Sequence, residues 1–285
     1  MLWQGGRESA NVEDRRGGGY GGVAVGGGIG TVVLVLIGLF FGVDPSVILG
    51  GGDGAEPPAV SGSSRAPDPR QDREKQFVSV VLGETEDTWT DVFRRMGREY
   101  EQPHLVLFSG AIQSACGMAQ TAVGPFYCPN DHKAYLDLGF FDELRDRFQA
   151  PGDFAAAYVV AHEIGHHVQT LLGISGQAHA AEQQAGSRAE ANRVSVRVEL
   201  QADCFAGVWA NRTEQRRHVL EQGDIEEALA AAAAVGDDRL QRQARGTVVP
   251  DAFTHGTSAQ RTRWFKRGLE SGSLDQCDTF SAAQL

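Results

Sequence analysis

The sequence predicts an α+β fold, predominantly helical, with one small β-sheet. Three observations lead there. Apolar residues recur at helical spacing in several separate segments of the 285-residue chain. Only two short runs, Leu105–Phe108 and Ala134–Leu138, carry the β-branched, aromatic and leucine content of buried strands. An alanine run, Ala228–Ala234, is bounded by Gly223-Asp224 and Gly236, which start and stop a helix.

Taken in chain order, the first element is a tail, residues 1–22, carrying Arg7, Arg15 and Arg16. From Gly17 to Val43 there is no charged residue, and Val23–Val43 is apolar and glycine-rich. About 20 apolar residues span a bilayer as a helix, so residues 23–43 are expected to be one transmembrane helix. Basic residues precede it, whereas Asp44, Asp53 and Glu56 follow it. That asymmetry predicts a cytoplasmic N-terminus and a folded domain on the far side. Residues 44–73 hold Pro45, Pro57, Pro58, Pro67 and Pro69 among many glycines and should form a flexible linker. The folded domain is then expected to be residues 74–285. Helical spacing predicts helices over Glu74–Leu82 and Asp87–Tyr100, and a longer one from Asp153 through Leu172, closed by Gly173.

Composition narrows the functions. The net charge of −11 argues against a nucleic-acid partner, because phosphate binding needs a basic surface. The 41% hydrophobic content suffices for one good core. Four cysteines, Cys116, Cys128, Cys204 and Cys277, allow three pairings, and none belongs to a C-x-x-C metal motif. Beyond a membrane they can form disulfides. Cys116 with Cys128 would clip a local loop, and Cys204 with Cys277 would tie a helix to the C-terminus.

The residues that carry chemistry begin with His162-Glu163-Ile164-Gly165-His166. Histidines four apart share a helix face, so both imidazoles can reach one metal ion. Glu163 follows the first of them and is placed to take a proton from a bound water. This is the arrangement with which zinc hydrolases activate water. His167 points about 100° away and is read as a supporting residue. A catalytic zinc needs a third protein ligand, and Glu199 is the candidate. Asp203, four residues later, lies on the same helix face and can hold a histidine through its other ring nitrogen. Two acids among Val196, Val198, Leu200, Ala202, Phe205 and Val208 are poorly explained as a wet surface. His255, in the turn Thr254-His255-Gly256-Thr257, could donate to an oxyanion, and Arg261 could pair with a site carboxylate. Tyr127 and Tyr135 are cleft candidates of lower rank, since each is as readily a half-buried structural tyrosine.

The spacing of His162–His166, Glu199 with Asp203, and His255 with Arg261 resembles the gluzincin pattern H-E-x-x-H, E-x-x-x-D, H-x5-R. The chain as a whole is similar to the bacterial neutral zinc metallopeptidase family. That likeness is carried by Arg7-Glu8-Ser9, Asn11–Arg16, Gly124–Pro129 and Glu199–Ala206. The resemblance implies a zincin-like domain with a small sheet beside the active-site helix. It implies one Zn²⁺ per chain, with His162, His166 and Glu199 as ligands and Glu163 as general base. The expected function is membrane-anchored zinc-dependent hydrolysis of peptide bonds in a peptide or protein substrate. The expected site of action is the bacterial inner membrane, with the catalytic domain periplasmic or extracellular and the lipid bilayer as a second partner. Two other readings are a non-catalytic, zinc-containing membrane assembly or scaffold protein and a membrane-tethered binding module with no metal. A structural site, however, has no use for Glu163.

Overall fold

A computed structural model describes residues 1–16 and 69–285. A four-stranded sheet lies against a helical body in a predominantly helical α+β arrangement. The helices are α1 (Pro69–Arg95), α2 (Gly139–Asp146), α3 (Asp153–Leu171), α4 (Ile174–Gln184), α5 (Arg188–Arg217), α6 (Asp224–Ala234), α7 (Asp237–Arg245) and α8 (Ser258–Ser271). The strands are β1 (Val12–Asp14), β2 (His104–Phe108), β3 (Ala111–Ser114), β4 (Gly117–Gln120), β5 (Phe126–Cys128) and β6 (Lys133–Asp137). The sheet order is β1-β2-β6-β5. The first two pairings are parallel, and β5 runs antiparallel to β6 at one edge. Strands β3 and β4 form a separate hairpin.

The two expected strands appear as β2 and β6. Their alternation places Leu105, Leu107, Ala134 and Leu136 in the main core against α1 and α3, and Val106, Phe108 and Tyr135 in a smaller core with Phe126 and Cys128. The expected helix over 153–172 is α3, whose Phe154, Ala155, Ala157, Tyr158, Val160 and Ile164 are all buried. Strands β1, β3, β4 and β5 are too short to show a pattern in the sequence. A three-residue strand displays barely one period of alternation.

Two expectations are corrected. The helices expected over 74–82 and 87–100 are one continuous helix, α1, which begins at Pro69 and so takes in the end of the expected linker. Gly83 does not break it. A Cβ there would collide with the Arg7 carbonyl, so this glycine is the notch through which the N-terminal segment crosses α1. Tyr100 lies beyond the helix, buried in the main core.

The second correction concerns the tail. Residues 1–16, expected to stand apart from the domain, are built into it. Trp3 is buried, and its indole N–H donates to Asp153 at 3.0 Å. Ser9 Oγ donates to Glu86 at 2.5 Å, and Asn11 Nδ2 donates to the same carboxylate oxygen at 2.7 Å. Arg7 donates to Glu86 and Asp87. Strand β1 then completes the sheet beside β2. A buried Glu86 needs these donors, because an unpaired buried carboxylate is costly. The expected membrane span, residues 23–43, and most of the expected linker lie outside the described residues. Among the described residues no helix is long and apolar enough to cross a membrane.

The two disulfides are Cys116–Cys128 and Cys204–Cys277. The first ties the β3–β4 hairpin to edge strand β5, and the second ties α5 to the C-terminal segment.

Gly83→Val should force the N-terminal segment off α1. Overpacking of this kind costs about 1–3 kcal/mol. The expected result is a lowered Tm together with rapid proteolytic loss of residues 1–16. An unchanged cleavage rate would show that the notch is not needed.

Candidate metal centre

The centre is set by where α3 and α5 cross. Gly165 lies at the crossing. A Cβ on it would sit 3.0 Å from the Ala202 carbonyl oxygen and 3.1 Å from the Ala202 Cα. The missing side chain lets the helices approach until Glu199 and Asp203 of α5 face His162 and His166 of α3. Helix α8 closes on the other side of α5 through a second glycine contact, Gly268 against the Cys204 carbonyl. Arg261 is carried in on α8, one turn after a complete capping box at Thr257 and Gln260.

Ligand atoms of His162, His166 and Glu199 lie within 4.8 Å of one another. The two Nε2 atoms are 3.2 Å apart, and Glu199 oxygens lie 3.2 Å from His162 Nε2 and 3.5 Å from His166 Nε2. Zinc–nitrogen bonds of 2.0–2.1 Å in a tetrahedron place neighbouring ligand atoms about 3.3 Å apart, so the spacing matches that of a zinc ligand set.

The outer ring nitrogens explain why both Nε2 atoms face inward. His162 Nδ1 is 2.9 Å from Asp203 Oδ1, a carboxylate that can only accept. Nδ1 therefore carries the proton. His166 Nδ1 is 2.9 Å from Gln169 Oε1. The Gln169 amide is oriented by its donation to the Val198 carbonyl at 2.7 Å, so its oxygen faces the ring. Neutral imidazoles thus direct two lone pairs and a carboxylate at one point. None can satisfy another, and only a positive charge resolves the arrangement. The same demand appears in the proton affinity of His162. Burial pushes its pKa down, but Asp203 and Glu199 outweigh burial and raise it to about 9. These residues fit a divalent cation with nitrogen and oxygen ligands.

Asp203 is fully buried and joins three helices. Its Oδ1 accepts from the Tyr158 hydroxyl at 2.5 Å, from His162 and from Arg261 Nη2 at 2.9 Å, and its Oδ2 accepts from Arg261 Nε at 2.9 Å. Burial works against its charge, but Arg261 and His162 prevail and hold its pKa below the ordinary carboxylate value. Arg261, placed by sequence near a site carboxylate, is therefore paired with Asp203. Tyr158 and Gln169 carried no signal except their helical offsets from His162 and His166, four and three residues.

Glu163 lines the same cleft and has no hydrogen-bond partner among the described residues. Burial raises its pKa, against the opposing effect of the two histidines. His255 also lines the cleft. Its backbone N–H and that of Gly256 donate to Asp237 Oδ2 at 2.7 and 2.8 Å. The other oxygen, Asp237 Oδ1, lies 3.6 Å from His255 Nδ1 and is buried with no hydrogen-bond partner. Burial lowers the proton affinity of His255, but Glu199 and Asp237 outweigh it and raise its pKa. Asp237, at the start of α7, was missed in the sequence, where Asp237-Asp238 reads as an ordinary acidic helix start.

The cleft has a volume of about 380 Å³. Its walls include Pro125, Phe126 and Tyr127 on the β5 side, Phe140 on α2, Val159 on α3, and Ser175 and His179 on α4. A larger hollow of about 630 Å³ lies between α1 and α5, lined by charge-paired groups such as Arg95 and Asp91, and contains none of the metal set. The chemistry therefore belongs to the smaller cleft. Tyr135 does not line it. Its ring stacks on Phe126 at 4.7 Å and its hydroxyl donates to Asp131.

Comparison with known proteins agrees with this geometry. Residues 1–280 match the family described as "Putative neutral zinc metallopeptidase". The chain is 50% identical over 290 aligned positions to "Uncharacterized protein YpfJ" of Escherichia coli K12, covering 98% of this chain and 99% of that one. It is 46% identical over 220 positions to "Uncharacterized protein Mb2605" of Mycobacterium bovis, covering 74% and 73%. No solved structure matches it. The chain belongs to the neutral zinc metallopeptidase family.

Because His162 binds a proton in competition with the cation, zinc affinity should fall as pH drops below about 9. The expected slope is about tenfold per pH unit from pH 8.5 to pH 6.5. Competition against a fluorescent chelator measures it, and a flat response would contradict the ligand assignment.

Proposed function

We propose that this chain is a zinc-dependent peptidase that hydrolyses peptide bonds, with His162, His166 and Glu199 as metal ligands and Glu163 as general base. The observation that carries the reading is the convergence of two imidazole lone pairs and one carboxylate beside an unpartnered glutamate. Bound there, zinc would supply Lewis acidity and lower the pKa of water toward 7.

The rest is done by the chain's own groups. Glu163 takes a proton from water as it attacks the scissile carbonyl, then passes that proton to the leaving amine. Its raised pKa suits a group that must both accept and release. His255 donates a hydrogen bond to the oxyanion, with Asp237 supporting its charge. Asp203 keeps the His162 proton on Nδ1, and Arg261 and Tyr158 keep Asp203 in place. The open edge of β5 can pair with the main chain of an extended substrate, which favours peptides. A purely structural or scaffold role for the metal would leave Glu163 without a use.

Membrane attachment belongs to the same reading. It is supported by the uncharged run 23–43 and by two disulfides, which persist in oxidising compartments. The folded body then lies outside the bacterial cytoplasm. Residues 1–16 pack within that body, so both sides of the run lie on one face of the bilayer, and the expected cytoplasmic tail and single-pass topology drop out of the reading together.

Glu163→Gln should keep one zinc per chain and lose peptidase activity by about three orders of magnitude or more. Glu199→Ala should instead lose the metal on dialysis. Metal content by atomic emission, set beside cleavage of a generic peptide library, tests both. Full activity of Glu163→Gln would remove it as the base.

A further inference from the structure

His167 follows a proposed ligand yet faces away from the metal set. Its ring is completely buried. Nε2 lies 2.7 Å from the Glu101 main-chain carbonyl, an acceptor only, so Nε2 carries the proton. Nδ1 is then an acceptor, and the Tyr127 hydroxyl donates to it at 3.0 Å. The rings of Tyr100, Tyr127 and His132 pack around it at centroid distances of 5.7, 5.5 and 5.8 Å.

These contacts join three elements: α3, the loop between α1 and β2, and edge strand β5. Strand β5 needs such a tie. It is three residues long and pairs on one side only, with β6. Its Cys128 is held to the β3–β4 hairpin, not to the metal helix. Tyr127 to His167 is a direct side-chain hydrogen bond from β5 to α3, and the same hydroxyl also meets Thr170 of that helix. Both Tyr127 and the metal ligands border the cleft.

We infer that His167 is a positioning residue: with Tyr127 it forms a strut that fixes the gap between edge strand β5 and the metal centre, and so governs the binding of extended peptides. This rests on the peptidase reading above. The strut touches no reacting atom. Its loss should loosen the strand without releasing the metal or disabling Glu163. Short substrates that reach only the residues flanking the scissile bond should be indifferent to it.

The test compares the full chain with His167→Phe, Tyr127→Phe and the double variant. His167→Gln serves as the conservative rescue, since a glutamine can both donate to Glu101 and accept from Tyr127. For an extended fluorogenic peptide, KM should rise about three- to tenfold in both single variants, the range set by one lost hydrogen bond. In His167→Phe, which touches no cleft surface, kcat and zinc content should stay near wild type. The double variant should be no worse than the singles, and a dipeptide substrate should show no change in His167→Phe. Additive effects, equal losses on both substrates, or loss of zinc would overturn the strut. If the wild type cleaves no peptide, the peptidase reading fails. Amide hydrogen exchange over Phe126–Cys128 then decides the strut alone: it should speed up in His167→Phe and Tyr127→Phe, and unchanged exchange would reject the inference.

Discussion

One buried carboxylate organises the centre. Asp203 carries full charge in a site closed to water, where an unpaired ion would cost several kcal/mol. It is tolerated because Arg261 approaches with two nitrogens, Tyr158 adds a short hydrogen bond and His162 adds another. These donors come from α3 and α8, while Asp203 itself is on α5. The same three groups that neutralise a charge therefore lock three helices in register. They also decide which nitrogen of His162 faces Glu199 and His166 at the candidate metal position. Stability and metal geometry are here one network.

The crossing of α3 and α5 imposes a second condition. Glu199 can reach the histidines only because Gly165 presents no side chain to Ala202. A glycine inside a helix costs about 1 kcal/mol relative to alanine. That cost is accepted at the point where the ligand helices must nearly touch. The Cys204–Cys277 disulfide then holds the turn of α5 next to Asp203 against the C-terminal segment. Gln201, two residues from Glu199, donates to the Cys277 carbonyl at 2.9 Å and strengthens the same tie.

Much of the centre was legible in the sequence, because the helix period converts spacing into geometry. His162 with His166, and Glu199 with Asp203, needed only the rule that residues four apart share a face. Acids among apolar neighbours marked α5 as a ligand helix rather than a wet surface. What escaped was contact between distant segments. Gln169 and Tyr158 look like ordinary helix residues until α5 is placed beside them. Asp237 acquires a role only when the turn bearing His255 folds onto its carboxylate. Gly83 reads as a helix break when scanned alone, and becomes a crossing point only with residue 7 on top of it. Strand β1 offers three residues and no periodicity, so its place in the sheet depends wholly on β2.

The packing of residues 1–16 has one further consequence. Arg16 donates to the Gln71 carbonyl at 3.2 Å and lies 3.6 Å from the Asp72 carboxylate. The chain thus departs from the folded body and rejoins it at nearly the same spot. The two described parts of the chain, residues 1–16 and 69–285, are thus held together where they part. The entropy of closing such a loop changes by only about 0.6 kcal/mol for each doubling of its length. The length of chain between those two parts can therefore change with little effect on the stability of the folded body.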